Sequence, residues 1–197
     1  MIAINQYYQK WQLIPRPARL FLLKGLVLLI LWKSIYLAFL LPTRLLDKPL
    51  TNSVGTATAY TLNLFSNTHA FTSKNAINRT ELEGIVTNDP VMTVYLNNKP
   101  TLSIADPCNA LELFVLFAGF IICLPAKASR KIAFISTGLI LIWIINVLRC
   151  VGLIEIFLYN PKYTHFSHHY TFKFIVYGFI FLLWMLFTKK LINDKSN

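Results

Sequence analysis

The feature that most constrains this chain is a set of four long apolar segments. A bilayer core of roughly 30 Å requires about 20 apolar residues of α-helix. Apolar residues make up 55% of the 197 residues, and charged residues make up 14%, against about 25% charged in ordinary soluble domains. This composition excludes a disordered chain and argues against a soluble globular enzyme. The sequence predicts an all-α, multi-pass helical bundle with transmembrane helices over residues 20–41, 108–124, 132–159 and 172–187.

We expect the whole chain, residues 1–197, to form a single integral-membrane domain. The first apolar run is longer than the apolar part of a secretory signal peptide, and no small-residue cleavage site follows it. It is therefore predicted to be a retained helix. Three cysteines are too few for a disulfide framework, so disulfides do not explain the fold.

The basic residues predict how the bundle is oriented. The net charge of +11 would suggest nucleic acid in a soluble protein. With four spans, however, three basic groups fall on one side, which the positive-inside rule makes cytoplasmic. We therefore expect a protein of the cytoplasmic (inner) membrane with no nucleic-acid partner, and with residues 42–107 and 160–171 on the extracytoplasmic side. The three groups are Lys10, Arg16 and Arg19, then Lys127, Arg130 and Lys131, then Lys189, Lys190 and Lys195.

The extracytoplasmic segment, residues 42–107, is predicted to form a small cap over the outer ends of the helices. Residues 51–66 have apolar and small side chains at three- and four-residue steps, which indicates a weak amphipathic helix on the bundle. Residues 91–105 indicate two short strands around Asn97-Asn98-Lys99, which predicts a β-hairpin. The positions that define the apolar face of the helix are Val54, Ala57, Thr61 and Leu64.

Arg149 is an ionisable residue inside a predicted membrane helix, and such residues are costly and are functional candidates. It lies about 26 Å along the helix from Ile132, which places it near the outer interface. Asn146, three residues earlier, shares its face. The alternative is that the Arg149 side chain only reaches to the membrane interface, where its charge is hydrated, and has no functional role.

Cys108 directly follows an Asp-Pro pair at the outer end of the second segment. Because proline favours the first turn of a helix, Cys108 is predicted to lie in that turn, where unpaired backbone N–H groups lower the pKa of a thiol. Glu112 is one turn deeper on the same face. The alternative is an inert, small apolar residue, which is our interpretation of Cys123 and Cys150.

A histidine cluster, residues 165–170 (HFSHHY), precedes the fourth segment. Histidines can bind a metal ion, and the outer-side groups available to complete such a site are His69, Asp106 and Cys108. The alternative is a set of interfacial histidines beside aromatic residues. The chain has no HExxH-type pair, so a metalloprotease is the least favoured hypothesis. Neither a metal nor another cofactor is expected.

Cysteine, arginine and histidine come together in the predicted topology. Cys108, Arg149 and the pair His168-His169 belong to three different helices, yet all are placed near the outer interface. Nucleophilic cysteine catalysis requires a base or cation near the thiol and a donor for the developing oxyanion. Histidine and arginine fit these two roles, so this group is the candidate catalytic site.

At these residues the chain resembles the exosortase/archaeosortase family of membrane-embedded sorting enzymes, in a short form. The family pattern is a Cys that opens one transmembrane helix, Asn-x-x-Arg near the end of the next, and a His that opens the one after. The family commonly has Gly two residues after the Cys, and Ala110 is small enough to keep close packing there. The resemblance covers residues 104–188 and rests on Cys108-Asn109-Ala110-Leu111-Glu112, Asn146-Val147-Leu148-Arg149 and Ser167-His168-His169.

The resemblance implies a membrane cysteine protease or transpeptidase that cleaves the C-terminal sorting signals of exported proteins. Such a signal is a short motif, a transmembrane helix and a basic tail. The implied partners are therefore these exported substrates and the membrane lipids. In the implied reaction Cys108 forms a thioester, a histidine carries the proton, and Arg149 stabilises the thiolate or the oxyanion.

His169 is favoured over His168 as the proton carrier implied by the resemblance. Aligning His169 with the family's His puts bulky residues where the family has them. Lys173, however, stands where the family usually has Gly, so His168 remains the alternative. The bulky residues are Phe172, Phe174 and Tyr177, and the supporting residues of the site are Asn146, Glu112 and Asn109.

Two other hypotheses stay open at the level of sequence. A family member that serves exopolysaccharide production would use the same site with a different partner. A non-enzymatic membrane protein, such as a transporter subunit or an assembly factor, would use Arg149 and Glu112 as structural or pathway residues.

Overall fold

The computed structural model describes residues 15–65, 70–82 and 85–196, so the predicted features at Lys10 and His69 lie outside them. Long helices dominate the described residues, and three strands form one small sheet. The helices are α1 (Arg16–Thr43), α2 (Asp47–Phe65), α3 (Leu111–Cys123), α4 (Ala128–Tyr159) and α5 (Phe172–Ser196). The strands are β1 (Phe71–Leu82), β2 (Ile85–Leu96) and β3 (Lys99–Ile104).

Three of the described helices are long and apolar enough to cross a membrane, namely α1, α4 and the Phe172–Lys189 part of α5. With 32 residues, α4 is about 48 Å long and so exceeds the roughly 30 Å of a bilayer core. These helices and the small sheet confirm the predicted fold class, a helical membrane protein with a hairpin-containing cap.

The predicted length of the second membrane segment, residues 108–124, was wrong. In the structure α3 has 13 residues, about 20 Å, which is less than a full crossing. It begins only at Leu111 because Ala110 has a φ of 75°, a left-handed conformation that an α-helix does not include. It ends before Leu124, which is extended as expected for a residue that precedes proline.

In the structure α1 runs two residues beyond its predicted end at Leu41. Pro42 has no N–H and would ordinarily interrupt a helix. A π-helical turn over Tyr36–Leu40 precedes it, and the N–H of Leu41 donates to the carbonyl of Tyr36. The helix stops where Arg44 adopts a φ of 49°, and this residue turns the chain into α2.

The sheet is an antiparallel meander in the order β1-β2-β3. The predicted hairpin is confirmed, because β2 and β3 are joined by Asn97 and Asn98, both with positive φ, as a tight two-residue hairpin turn requires. A bulge interrupts the β2–β3 register after Val94, whose carbonyl accepts the Thr101 hydroxyl at 2.8 Å. The long strand β1 was not predicted.

The predicted helix over residues 51–66 corresponds to α2, but its buried face is different. Val54 is buried as expected, whereas Leu64 is 63% exposed. The buried face begins at Asp47 and continues at three- and four-residue steps. It includes two threonines and one glycine, which a hydropathy pattern does not identify as buried. Its members are Asp47, Thr51, Val54, Gly55, Thr58, Ala59 and Leu62.

Two apolar cores share α4. One core packs α2 and the sheet, together called the cap here, against the second half of α4. The other core joins α3, α5 and the first half of α4. The cap core is Val54, Ala59, Leu62, Phe71, Val94, Ile104, Val147, Cys150 and Ile154, and the bundle core is Ala110, Phe117, Ile121, Ile142, Val176, Ile180, Leu183 and Phe187.

The basic residues in the first turn of α4 lie at the same end of the bundle as the last turns of α5. The Arg130 guanidinium lies 5.7 Å from the ring centroid of Phe187, and the Lys131 ammonium donates to the carbonyl of Ile122 at 2.8 Å. This agrees with the predicted placement of Arg130 and Lys131 beside the end of α5, whereas Lys10 and the side chains of Lys190 and Lys195 lie outside the described residues. That this end is cytoplasmic stays a prediction.

Gly138 sets the approach of α3 to α4, and Gly138→Ala is expected to lower stability. A Cβ there would lie 2.2 Å from two ring atoms of Phe117, which is fully buried. We expect a loss of about 1–3 kcal/mol, measured as a lower thermal midpoint in detergent. Gly178→Ala is the control, because its Cβ meets nothing within 4 Å. Equal midpoints for the two variants would contradict the packing described.

Candidate active site

Cys108 closes a short 3₁₀ turn, Asp106–Cys108, between β3 and α3. The prediction that it lies in the first turn of the helix is therefore wrong. The helix starts three residues later with Ala110 as its N-cap residue, and the Asn109 Oδ1 just before it accepts the Leu111 N–H at 2.8 Å. Ala110 lies between them with a φ of 75°. This is the left-handed region, which glycine adopts more readily than alanine.

The two polar residues of α4 meet the Cys108 residue directly. The Asn146 side-chain amide donates to the carbonyl oxygen of Cys108 at 3.0 Å. The Nη2 atom of Arg149 lies 3.9 Å from the Cys108 sulfur, and Nη1 donates to the Asn146 Oδ1 at 3.4 Å. Asn146 is fully buried. The shared face predicted for Asn146 and Arg149 is thus the face that holds the cysteine.

A cavity of about 280 Å³ contains the cysteine and the arginine. His168, from the π-helical turn Ser167–Thr171, also lines it. Glu112, the predicted neighbour of Cys108, lines the cavity too, and it forms a 2.9 Å ion pair with Lys33 of α1. The other lining residues are Pro107, Ala110, Leu113, Lys173, Val176 and Tyr177.

The side chain of His169 lies outside the described part of the structure, so the preference for His169 stays a prediction. His168 is the histidine that the structure places in the cavity. Within the described residues, no group of three or more His, Cys, Asp or Glu side chains is arranged to hold a metal ion. His69, one of the suggested metal ligands, lies outside these residues.

The other two cysteines lie in apolar surroundings. Cys150 is 3% exposed and belongs to the cap core, and Cys123 is 6% exposed at the far end of α3. Although Cys150 follows Arg149 in sequence, its side chain faces the packed side of α4. Neither lines the cavity that contains Cys108.

Sequence reasoning missed the ion pair that anchors the turn before Cys108. Arg44 donates from Nε and from Nη2 to the two carboxylate oxygens of Asp106, both at 2.7 Å. This hydrogen-bonded pair raises the pKa of the Arg44 guanidinium, which therefore stays charged. Arg44 Nη2 also donates to the carbonyl of Pro90 at 3.3 Å, which links the pair to β2.

A second missed contact lies on the other side of Cys108. The Asn109 side-chain amide donates to Asp47 Oδ1 at 2.9 Å, and both residues are 1% exposed. The Tyr36 hydroxyl of α1 donates to the second oxygen, Asp47 Oδ2, at 3.1 Å. The sequence does show an aspartate, Asp47, shortly after the end of an apolar span. Its partner Asn109 is 62 residues away, so the sequence does not indicate the contact.

These features define a class of protein: a helical membrane protein with a cysteine, an arginine and a histidine around one cavity at the end of its bundle. The sequence profile of the transmembrane exosortases (Exosortase_EpsH) matches residues 12–188, most of the chain. The protein belongs to this family. The resemblance drawn from residues 104–188 is thereby confirmed and extends over α1 and the cap. No curated protein and no solved structure matches the chain.

Proposed function

We propose that this protein is a membrane-embedded cysteine protease or transpeptidase that cleaves the C-terminal sorting signals of exported proteins. The observation that carries the proposal is the position of the Cys108 sulfur, 3.9 Å from the Arg149 guanidinium in a cavity that His168 also lines. The match to the transmembrane exosortases supports it. A thiol, a fixed cation and an imidazole are the groups that nucleophilic acyl transfer requires.

The reaction proceeds in two steps. The Cys108 sulfur attacks the scissile carbonyl carbon as its proton passes to the histidine, for which His168 and His169 are the candidates. The C–N bond then breaks, the histidine gives its proton to the leaving amine, and a thioester remains on Cys108. An acceptor amine or water attacks this thioester in the second step and releases the free thiol.

Arg149 stabilises the negative charge of these steps. Its guanidinium already reaches toward the sulfur and presents a planar, forked set of donors. Its Nε atom is buried and makes no hydrogen bond within the described residues. An unpaired donor of this kind is available to the oxyanion that develops when the carbonyl is attacked.

The substrate's transmembrane helix docks against the bundle beside α1. An apolar groove of about 690 Å³ runs between α1 and α3, and Lys24 is the charged residue that lines it. Its end at Trp32 is next to Lys33, which pairs with Glu112 at the cavity. A helix in this groove would deliver the residues that precede it to Cys108. The cavity then faces the extracytoplasmic side of the inner membrane, and the basic tail lies on the cytoplasmic side.

Cys108→Ala is expected to lower processing of a coexpressed sorting-signal substrate by more than about a thousandfold, because the nucleophile is lost. Processing is measured by the mobility of the substrate on gels, with the amount of membrane-inserted enzyme held equal. Cys123→Ala is the matched control; Cys123 lines the far end of the groove but is only 6% exposed and lies outside the cavity, so the variant is expected to keep most of the processing. Full processing by the Cys108 variant would favour a non-enzymatic membrane protein.

Arg149→Lys is expected to reduce the rate of thioester formation by about a hundredfold, because a planar, forked donor is replaced by a point charge. The measurement is a single-turnover assay with purified enzyme in detergent. Arg79→Lys, on the exposed strand β1, is the control for a general effect of the exchange. An undiminished rate would show that arginine geometry plays no part.

The orientation can be tested by thiol labelling of intact cells. A membrane-impermeant maleimide is expected to label Cys108 from outside, because the cavity opens on the extracytoplasmic side. The labelled residue is identified by mass spectrometry, and Cys108→Ala provides the blank. Labelling that requires broken cells would reverse the proposed topology.

A further inference from the structure

Residues of α2 hold the turn that carries Cys108 on both of its sides. We propose that Asp47 and Thr51 are positioning residues that fix the Cys108 thiol relative to Arg149. The inference rests on the proposed function, because it assumes that Cys108 is the nucleophile. Asp47 and Thr51 do not line the cavity that contains the thiol, so they act through their neighbours.

Thr51 contacts both residues that flank the turn. Its hydroxyl donates to Asp106 Oδ1 at 2.8 Å, and it accepts the Asn109 side-chain amide at 3.2 Å. The Thr51 hydroxyl therefore links Asp106, which precedes Cys108 by two residues, to Asn109, which directly follows it. Thr51 is 1% exposed, so water does not replace these bonds.

Asp47 fixes the second flank from one turn earlier on the same face of α2. Its carboxylate accepts from the Asn109 amide and from the Tyr36 hydroxyl. Asn109 in turn accepts the Leu111 N–H through its own Oδ1, so the amide is used at both ends. A buried carboxylate with all its partners in place has one favoured geometry, which it imposes on the residues it binds.

The residues that contact Cys108 from the opposite side lie on another helix. Arg149 and Asn146 belong to α4, and α4 packs against α2 through the cap core. The Trp143 indole also donates to the Ser53 hydroxyl at 3.1 Å across this interface. The separation of sulfur and guanidinium therefore depends on how α2 presents the turn to α4. A displacement of about 1 Å at such a site can reduce a rate a hundredfold.

Thr51→Val tests the hydroxyl with little change in shape. We expect alkylation of Cys108 by iodoacetamide to slow about tenfold, because a displaced sulfur loses its contact with the Arg149 guanidinium, which is 3.9 Å away in the unaltered protein. We also expect kcat for processing to fall about tenfold or more, with KM unchanged. Alkylation is followed by mass spectrometry of the peptide that contains Cys108.

Two matched variants separate positioning from packing. Thr51→Ser keeps the hydroxyl and is expected to retain the alkylation rate. Thr58→Val removes a hydroxyl from the same buried face of α2, where it donates at 2.7 Å to the carbonyl of Val54, and it is also expected to retain that rate. Equal alkylation rates for Thr51→Val and Thr51→Ser would overturn the inference.

A charge exchange tests Asp47 and remains informative if Thr51→Val fails to fold. Asn109→Asp places two buried carboxylates in contact, so we expect at least a hundredfold loss of turnover. Adding Asp47→Asn restores an amide–carboxylate pair with the roles reversed, and turnover should return to within about tenfold of the unaltered protein. A double variant no better than Asn109→Asp would overturn the role of Asp47.

The alkylation readout needs no substrate, so this inference and the proposed function can fail separately. Normal processing by Cys108→Ala would end the proposed function whatever the alkylation rates are. If Cys108 is required for processing but Thr51→Val alkylates and turns over at the unaltered rate, only the positioning role is wrong. A variant that loses folded protein but keeps turnover per molecule would make Thr51 a purely structural residue.

Discussion

Residues 106–109 are held by hydrogen bonds whose partners lie on α2, on α4 and in the link between α1 and α2. Polar groups in such apolar surroundings are stable only when they are paired. The side chains of Asp106 and Asn109 both bond to Thr51 of α2, Asp106 also pairs with Arg44, and the carbonyl of Cys108 accepts from Asn146 of α4. The position of the thiol therefore follows from the polar contacts on either side of it more than from its own packing.

The cavity lies where α4 passes from one apolar core to the other. Ile142 belongs to the bundle core and Val147 to the cap core, and Asn146 and Arg149 lie at this change of partners. A helix of 32 residues can serve both cores because it is longer than a bilayer is thick. The cavity is lined by residues of α3, α4 and α5 and by the turns that precede α3 and α5. In the proposed reaction, this is the depth at which a membrane-anchored substrate leaves the lipid.

Local signals in the sequence were sufficient for some elements and not for others. The β2–β3 turn was predictable because Asn97 and Asn98 tolerate positive φ wherever they occur. The strand β1 is mostly polar, and it forms because β2 pairs with it along its length. For α2, hydropathy marked Leu64, but the face that packs also includes Thr51 and Asp47, whose burial depends on partners far along the chain.

The sequence by itself determined that the chain is a helical membrane protein, and the spacing of its Cys, Asn-x-x-Arg and His elements indicated its family. Those features depend on composition and on residues within a few turns of one another. Only the tertiary structure decided that Cys108 precedes its helix instead of opening it, and that α2 contacts both sides of the turn. These outcomes depend on bonds such as Asn109 to Asp47, whose partners lie 62 residues apart. No local pattern encodes such a pairing, because it forms only when the apolar cores bring the two segments together.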